Sequence, residues 1–143
     1  MHQSRLQRAA FAGAMMLGAA VASAQAPSDV VGCYVAKPAL TYSATGGPER
    51  EDSSWASVQL SEDGKARRPL LPRRYDRSSS WLLGNDTLVA TFFDGLVGWR
   101  LRLTRAPHGW TGEATYLTDV IVVGLKPYQH ALTLTRRSCA PSA

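Results

Sequence analysis

The chain has 143 residues, 45% of them apolar and 19% charged, which is enough for one domain with a real core. Its formal charge of +5 comes with only two cysteines and three histidines. Those few ligand types and scattered acids exclude a recognisable zinc pattern.

The first 24 residues read as a secretory signal. Arg5 and Arg8 form a short positive region, and no residue from Ala9 to Ala22 is charged. Phe11, Met15, Met16, Leu17 and Val21 supply its apolarity, and Ala22-Ser23-Ala24 offers small residues for cleavage after Ala24. The apolar run is too short to cross a ~30 Å hydrocarbon core comfortably, so no transmembrane segment is expected after cleavage. The expected location is periplasmic or secreted. Cleavage leaves a single domain of 119 residues, 25–143, with 14 Lys+Arg against 11 Asp+Glu.

Val30-Val31-Gly32-Cys33 has the outline of a lipidation box, but Pro27, Ser28 and Asp29 separate it from the apolar run. Cys33 is expected instead to pair with Cys139, since an exported chain with two cysteines favours a disulfide. Both are then oxidised and unavailable as nucleophiles.

Short alternating runs between Gly, Pro, Ser and Asp clusters predict an all-β chain. Strands are expected near 30–36, 54–60, 79–84, 86–93, 97–104, 110–117 and 130–137, with weaker candidates at 39–44, 65–71 and 120–123. Glu49, Glu51 and Asp52 are the acids nearest to a calcium loop. They lack its alternation and read as a solvated turn.

The segment 65–77 is the most unusual surface. Lys65, Arg67, Arg68, Arg73, Arg74 and Arg77 stand within 13 residues, with Asp76 as the only acid. Pro69 and Pro72 bracket Leu70-Leu71 between the arginine pairs. Arg presents a rigid fork that suits carboxylate or phosphate. The segment is therefore the candidate anion site, for anionic lipid, lipopolysaccharide, acidic polysaccharide or an acidic protein cleft. Nucleic acid is not expected in this compartment.

Asp94-Gly95 predicts a two-residue type I′ hairpin turn, with Phe93 opposite Leu96. Leu88, Ala90 and Phe92 then share a buried face with Val97, Trp99, Leu101 and Leu103, and Thr87, Val89, Thr91, Arg100 and Arg102 share the other. Residues 105–108 predict a four-residue loop, with Leu103 opposite Trp110 and Glu113 opposite Arg100. Asp119 follows the next strand and is expected to cap a turn over 120–123.

A meander of about eight such strands removes its edges by closing into an up-and-down barrel, with a β-sandwich as the alternative. Trp99, Trp110 and Tyr116 are expected inside it, as core or as the lining of a small apolar ligand site.

Gly32-Cys33-Tyr34 on the first strand and Arg136-Arg137 on the last resemble the two ends of the calycin barrels, the lipocalins and their relatives. In that family a basic residue of the last strand packs across a Trp of the first. Here Tyr34 stands in the aromatic position. The resemblance implies that Tyr34 points inward with Arg136 across it, that Cys33 points outward toward Cys139, and that the protein binds a ligand. Small exported barrels that inhibit proteases or lysozyme are a second, looser likeness.

His108 and His130 have no Ser-Asp or Cys partner in a catalytic spacing, so no enzyme activity and no cofactor are expected. The functional expectation is an exported calycin-like binding protein for a small ligand or an anionic envelope component. The alternative is an inhibitor of an exported hydrolase, a protease or lysozyme.

Overall fold

A computed structural model describes residues 27–40, 52–119 and 129–140. The signal segment, Glu49, Glu51 and the candidate strand 120–123 lie outside the described residues, as does most of 39–44.

Alternating apolar residues build eight strands, β1 (Gly32–Lys37), β2 (Val58–Leu60), β3 (Ala66–Arg67), β4 (Ser80–Gly84), β5 (Thr87–Phe93), β6 (Val97–Ala106), β7 (Gly109–Thr118) and β8 (Gln129–Arg137). They form one sheet in the order β3-β2-β1-β8-β7-β6-β5-β4, antiparallel throughout. Each strand therefore lies beside its sequence neighbours, and β1 meets β8. This is the expected up-and-down barrel, nearly closed. The opening lies between β3 and β4, where the isolated bridge Lys65↔Ser80 joins the two sides.

Two predicted strands are shorter than expected, for local reasons. The run 54–60 begins as a turn of 3₁₀ helix, Ser53–Ala56, because the Asp52 carboxylate accepts the Ser54 N–H at 2.9 Å and caps it. The run 65–71 pairs only at Ala66–Arg67. Pro69 has no N–H for the ladder, and the Leu71 N–H bonds back to the Arg68 carbonyl at 2.8 Å. A second 3₁₀ turn, Arg73–Asp76, then leads into β4.

The predicted faces hold, but both hairpin registers are shifted by two residues. Phe93 lies opposite Gly98, not Leu96, so the β5–β6 loop has four residues. One Asp94 oxygen accepts the N–H groups of Leu96 and Val97 at 2.8 and 2.9 Å, which favours the wider loop. Val97 is thereby lifted to the rim and is 36% exposed, rather than buried with Trp99 and Leu101. The β6–β7 loop is shorter than predicted. Ala106 pairs with Gly109, so Leu103 lies opposite Gly112 and Glu113 opposite Arg102. At Gly109 the backbone passes so close to β8 that a Cβ would sit 2.0 Å from the Leu134 carbonyl oxygen. The two-residue turn with positive φ at both positions is Asn85-Asp86, with φ of 50° and 60°. Both residue types tolerate that region.

Large rings occupy the barrel axis. Trp55, Trp110, Tyr34 and Phe92 are at most 2% exposed, and Trp81 and Trp99 are buried with them. Trp55 meets Phe92 edge-on, with centroids 5.1 Å apart. Small residues opposite bulky ones make room: Trp81 pairs with Ala90, and Leu101 with Ala114. The disulfide Cys33–Cys139 is formed, with Cα atoms 5.1 Å apart, and ties the first strand to the chain just past the last.

The Asp94 turn predicts an acid-sensitive element. Hydrogen bonds from Val97 and Leu96 hold the Asp94 carboxyl below its ordinary value. A lowered folded pKa contributes stability above the unfolded value of about 3.9, and the contribution is lost as pH falls through the folded value. Asp94→Ala is expected to lose about 1 kcal/mol at neutral pH in urea denaturation. The gap from the parent should shrink below about pH 4. Asp94→Asn keeps an acceptor oxygen and should retain most of the stability without the pH dependence.

Candidate functional site

The basic segment, residues 65–77, contains β3 and most of the connection to β4, and it spans the barrel opening. It encloses a cleft of about 560 Å³ lined by Lys65, Arg67, Arg68, Arg73, Arg74 and Arg77, together with Gln59, Leu71, Asp76 and Ser79. All six cations singled out in the sequence thus come to one place. On the inner side, Trp81 closes the opening: its backbone N–H bonds to Gly64 O and its Nε1 to Ser61 O, both at 2.8 Å.

Arg68 requires a correction. Its side chain is 10% exposed and is not a surface ligand group. The guanidinium lies 4.7 Å from the Trp55 ring centroid and 5.6 Å from that of Phe92. Its Nη2 and Nε donate to Asp76 Oδ1 at 3.0 and 3.2 Å, and the Arg68 backbone N–H donates to Asp76 Oδ2 at 2.6 Å. Asp52 adds a second carboxylate at 3.5 Å. The cation thus seals one end of the core with its charge compensated on the outer side.

This pair changes the electrostatics of the segment. Asp76, its only acid, has a side chain 6% exposed and is spent on Arg68. Lys65 pairs with Asp63 at 3.6 Å on the surface. Among the described residues Arg67, Arg73, Arg74 and Arg77 have no carboxylate within ion-pair distance. Arg73, Arg74 and Arg77 are exposed, and Arg67 is half-buried at the cleft wall. The Arg74 guanidinium rests over the Tyr75 ring at 5.0 Å. The arrangement is a concave surface with four guanidinium groups and no internal counter-ion, suited to bidentate contacts with phosphate or carboxylate.

The three residues expected to line an interior ligand site do not come together. Trp99 and Tyr116 are cross-strand partners in edge contact, with centroids 5.2 Å apart. Trp110 is paired with Arg105, six steps along the same ladder and roughly 20 Å away. It lies under the Arg105 guanidinium at 4.9 Å.

A second cleft, of about 370 Å³, opens at that far end beside Trp110, His108 and Tyr34. Its cations are committed to the fold. Arg136 donates to the carbonyls of Asp29 and Val31 at 3.1 and 2.5 Å and lies 5.6 Å from the Tyr34 ring centroid. The Tyr34 hydroxyl donates to Val30 O at 2.5 Å. Arg105 pairs with Asp29 and, by hydrogen bonding, holds that carboxyl below its ordinary range. The cluster fastens residues 27–31 across the barrel end.

Asp119 is an exposed bend residue whose N–H bonds to Leu96 O at 2.8 Å. The turn it was expected to cap lies outside the described residues. No group of three His, Cys, Asp or Glu able to hold a metal occurs among the described residues. No protein family, curated protein or solved structure matches this chain.

The two kinds of arginine are separable by mutation. Arg68→Ala leaves Asp76 buried without its partner and is expected to cost about 3–5 kcal/mol. Arg73→Ser should change stability by less than about 0.5 kcal/mol. Equilibrium urea denaturation of the two variants measures the difference.

Proposed function

We propose that this chain is an exported, non-enzymatic binding protein that holds a multiply charged anion in the cleft of the barrel seam. The observation that carries the reading is the loss of Asp76 to Arg68, which leaves four guanidinium groups around one concavity. Such a concavity concentrates positive potential where an anion makes several contacts at once. The signal-like residues 1–24 and the Cys33–Cys139 bridge support export, to the periplasm or beyond. The Tyr34–Arg136 contact supports a calycin-like barrel. Filled with rings along its axis, the barrel offers its seam rather than its interior, so an anionic envelope component is favoured over a small apolar ligand.

The test is retention on an immobilised polyphosphate column. The parent should be retained at low salt and released as salt rises, because exposed charges are screened over about 8–10 Å near physiological ionic strength. A variant with Arg67, Arg73, Arg74 and Arg77 changed to Ser should flow through while keeping the parent's unfolding free energy, from urea denaturation, within about 1 kcal/mol. Equal retention of the variant would overturn the reading.

A packed interior beneath a projecting loop is also the geometry of an inhibitor, so a second reading is a blocker of an exported hydrolase. Its arginine loop would enter an acidic cleft. A dose-dependent loss of protease or lysozyme activity, absent with the fourfold variant, would favour it.

A further inference from the structure

The connection that encloses the seam cleft is bonded to the barrel end where β5 turns into β6, and that rim carries apolar side chains as well as arginines. Leu70, between the two prolines, is 61% exposed, and Tyr75 is 37% exposed beneath Arg74. A second loop, Asp94–Val97, presents Leu96 at 64% and Val97 at 36% exposure. The two loops are fastened to each other. Ser78 N–H donates to Phe93 O at 3.3 Å, and Phe93 N–H donates to Ser79 Oγ at 3.0 Å. Leu70 and Leu96 thus project from separate loops that meet at the same end, on either side of the β4–β5 ladder.

Among the described residues the acids of this rim are largely engaged. Asp52 and Asp76 face Arg68, and Asp94 accepts the amides of its own turn. Asp119, whose N–H bonds to Leu96 O, remains exposed there. Apolar tips on two loops, an aromatic ring under a guanidinium and a net positive cleft beside the first of them make a surface that fits a plane apolar within and anionic at its face. Arg and Tyr suit the headgroup layer, and Leu suits the acyl boundary beneath it. An acidic protein would match the arginines but gives no reason for exposed leucines on two loops.

From this we propose that the rim docks on a membrane, with Leu70 and Leu96 entering the interface and the seam arginines holding phosphate headgroups of anionic lipid. The proposal rests on the anion-binding reading and names its ligand. Leu96 stands 19 residues from the basic segment, at the tip of a loop that carries no basic residue, so its participation would reflect the folded rim and not a basic peptide.

Co-sedimentation with phosphatidylcholine vesicles, with and without equimolar phosphatidylglycerol, tests it, alongside binding of soluble polyphosphate. The parent should bind the anionic vesicles, each basic residue near the surface strengthening binding roughly fivefold. The double variant Leu70→Ser, Leu96→Ser should lose at least roughly tenfold in vesicle affinity, because two leucines no longer leave water. Its polyphosphate binding should be unchanged, which also shows that it is folded. Leu96→Trp should shift its fluorescence to the blue on anionic vesicles and not on neutral ones. Equal vesicle binding by parent and double variant overturns the proposal, as does polyphosphate binding without vesicle binding. In that second case the ligand is a soluble anion or an acidic protein. Loss of both kinds of binding in the parent sinks the anion site itself.

Discussion

The buried pair of Arg68 and Asp76 is the interaction on which the open side of the barrel depends. Seven of the eight strand junctions are ladders, and the eighth is spanned by one bridge at Lys65↔Ser80. The connection that replaces the missing ladder holds four arginines, Arg68, Arg73, Arg74 and Arg77, whose charges repel one another. Left to itself it would swing away from the core and expose Trp55 and Phe92. Arg68 reverses that tendency. Its guanidinium covers both rings while Asp76, eight residues on, accepts its donors and its backbone N–H. A long loop is thus pinned to the barrel by one charged group whose desolvation is offset by hydrogen bonds and ring contacts.

The opposite end solves a different problem. There β1 and β8 must meet although nearly the whole chain separates them. The disulfide links positions 106 residues apart, and Arg136 binds the carbonyls of the 27–31 turn above Tyr34. The cations at this end are satisfied by carbonyls and by Asp29. Among the described residues Arg67, Arg73, Arg74 and Arg77 at the seam have no carboxylate partner, once Asp76 is taken by Arg68. Two clefts rich in arginine therefore differ in kind, one holding the barrel together and the other facing outward.

Period-two alternation made the faces legible in the sequence. Leu88, Ala90, Phe92, Trp99, Leu101 and Leu103 are all buried as their parity demands. Registers were less legible, because a shift by two residues leaves every face unchanged. Only the turn decides it, and the turn depends on a carboxylate that accepts two amides. The positions of the cations were legible too, but not their division of labour. Arg67 and Arg68 are identical residues in adjacent positions, and strand alternation sends one outward and the other over Trp55. Nothing in their local sequence marks Asp76 as buried; its isolation among six cations was the available signal. The interior aromatics were recognised as interior, but periodicity along a strand does not say at which end of the barrel a ring lies. Parity alone therefore groups Trp110 with Trp99, although a long ladder separates them.

The packing of the core bears on where the proposed binding would occur. An eight-stranded barrel has room for either side chains or one small ligand, and six large rings take that room here. A ligand entering the axis would have to displace Trp55, Phe92 or Trp99 from contacts that stabilise the fold. At the seam no such conflict arises. The inner side is already closed by Trp81, and the cleft outside it is made of side chains that contribute little to stability when exposed. An anion there removes repulsion among guanidinium groups that the fold itself leaves uncompensated. The same ion pair that fastens the loop therefore also shapes the proposed site, because each carboxylate it takes inward leaves the outer arginines more in need of an external one.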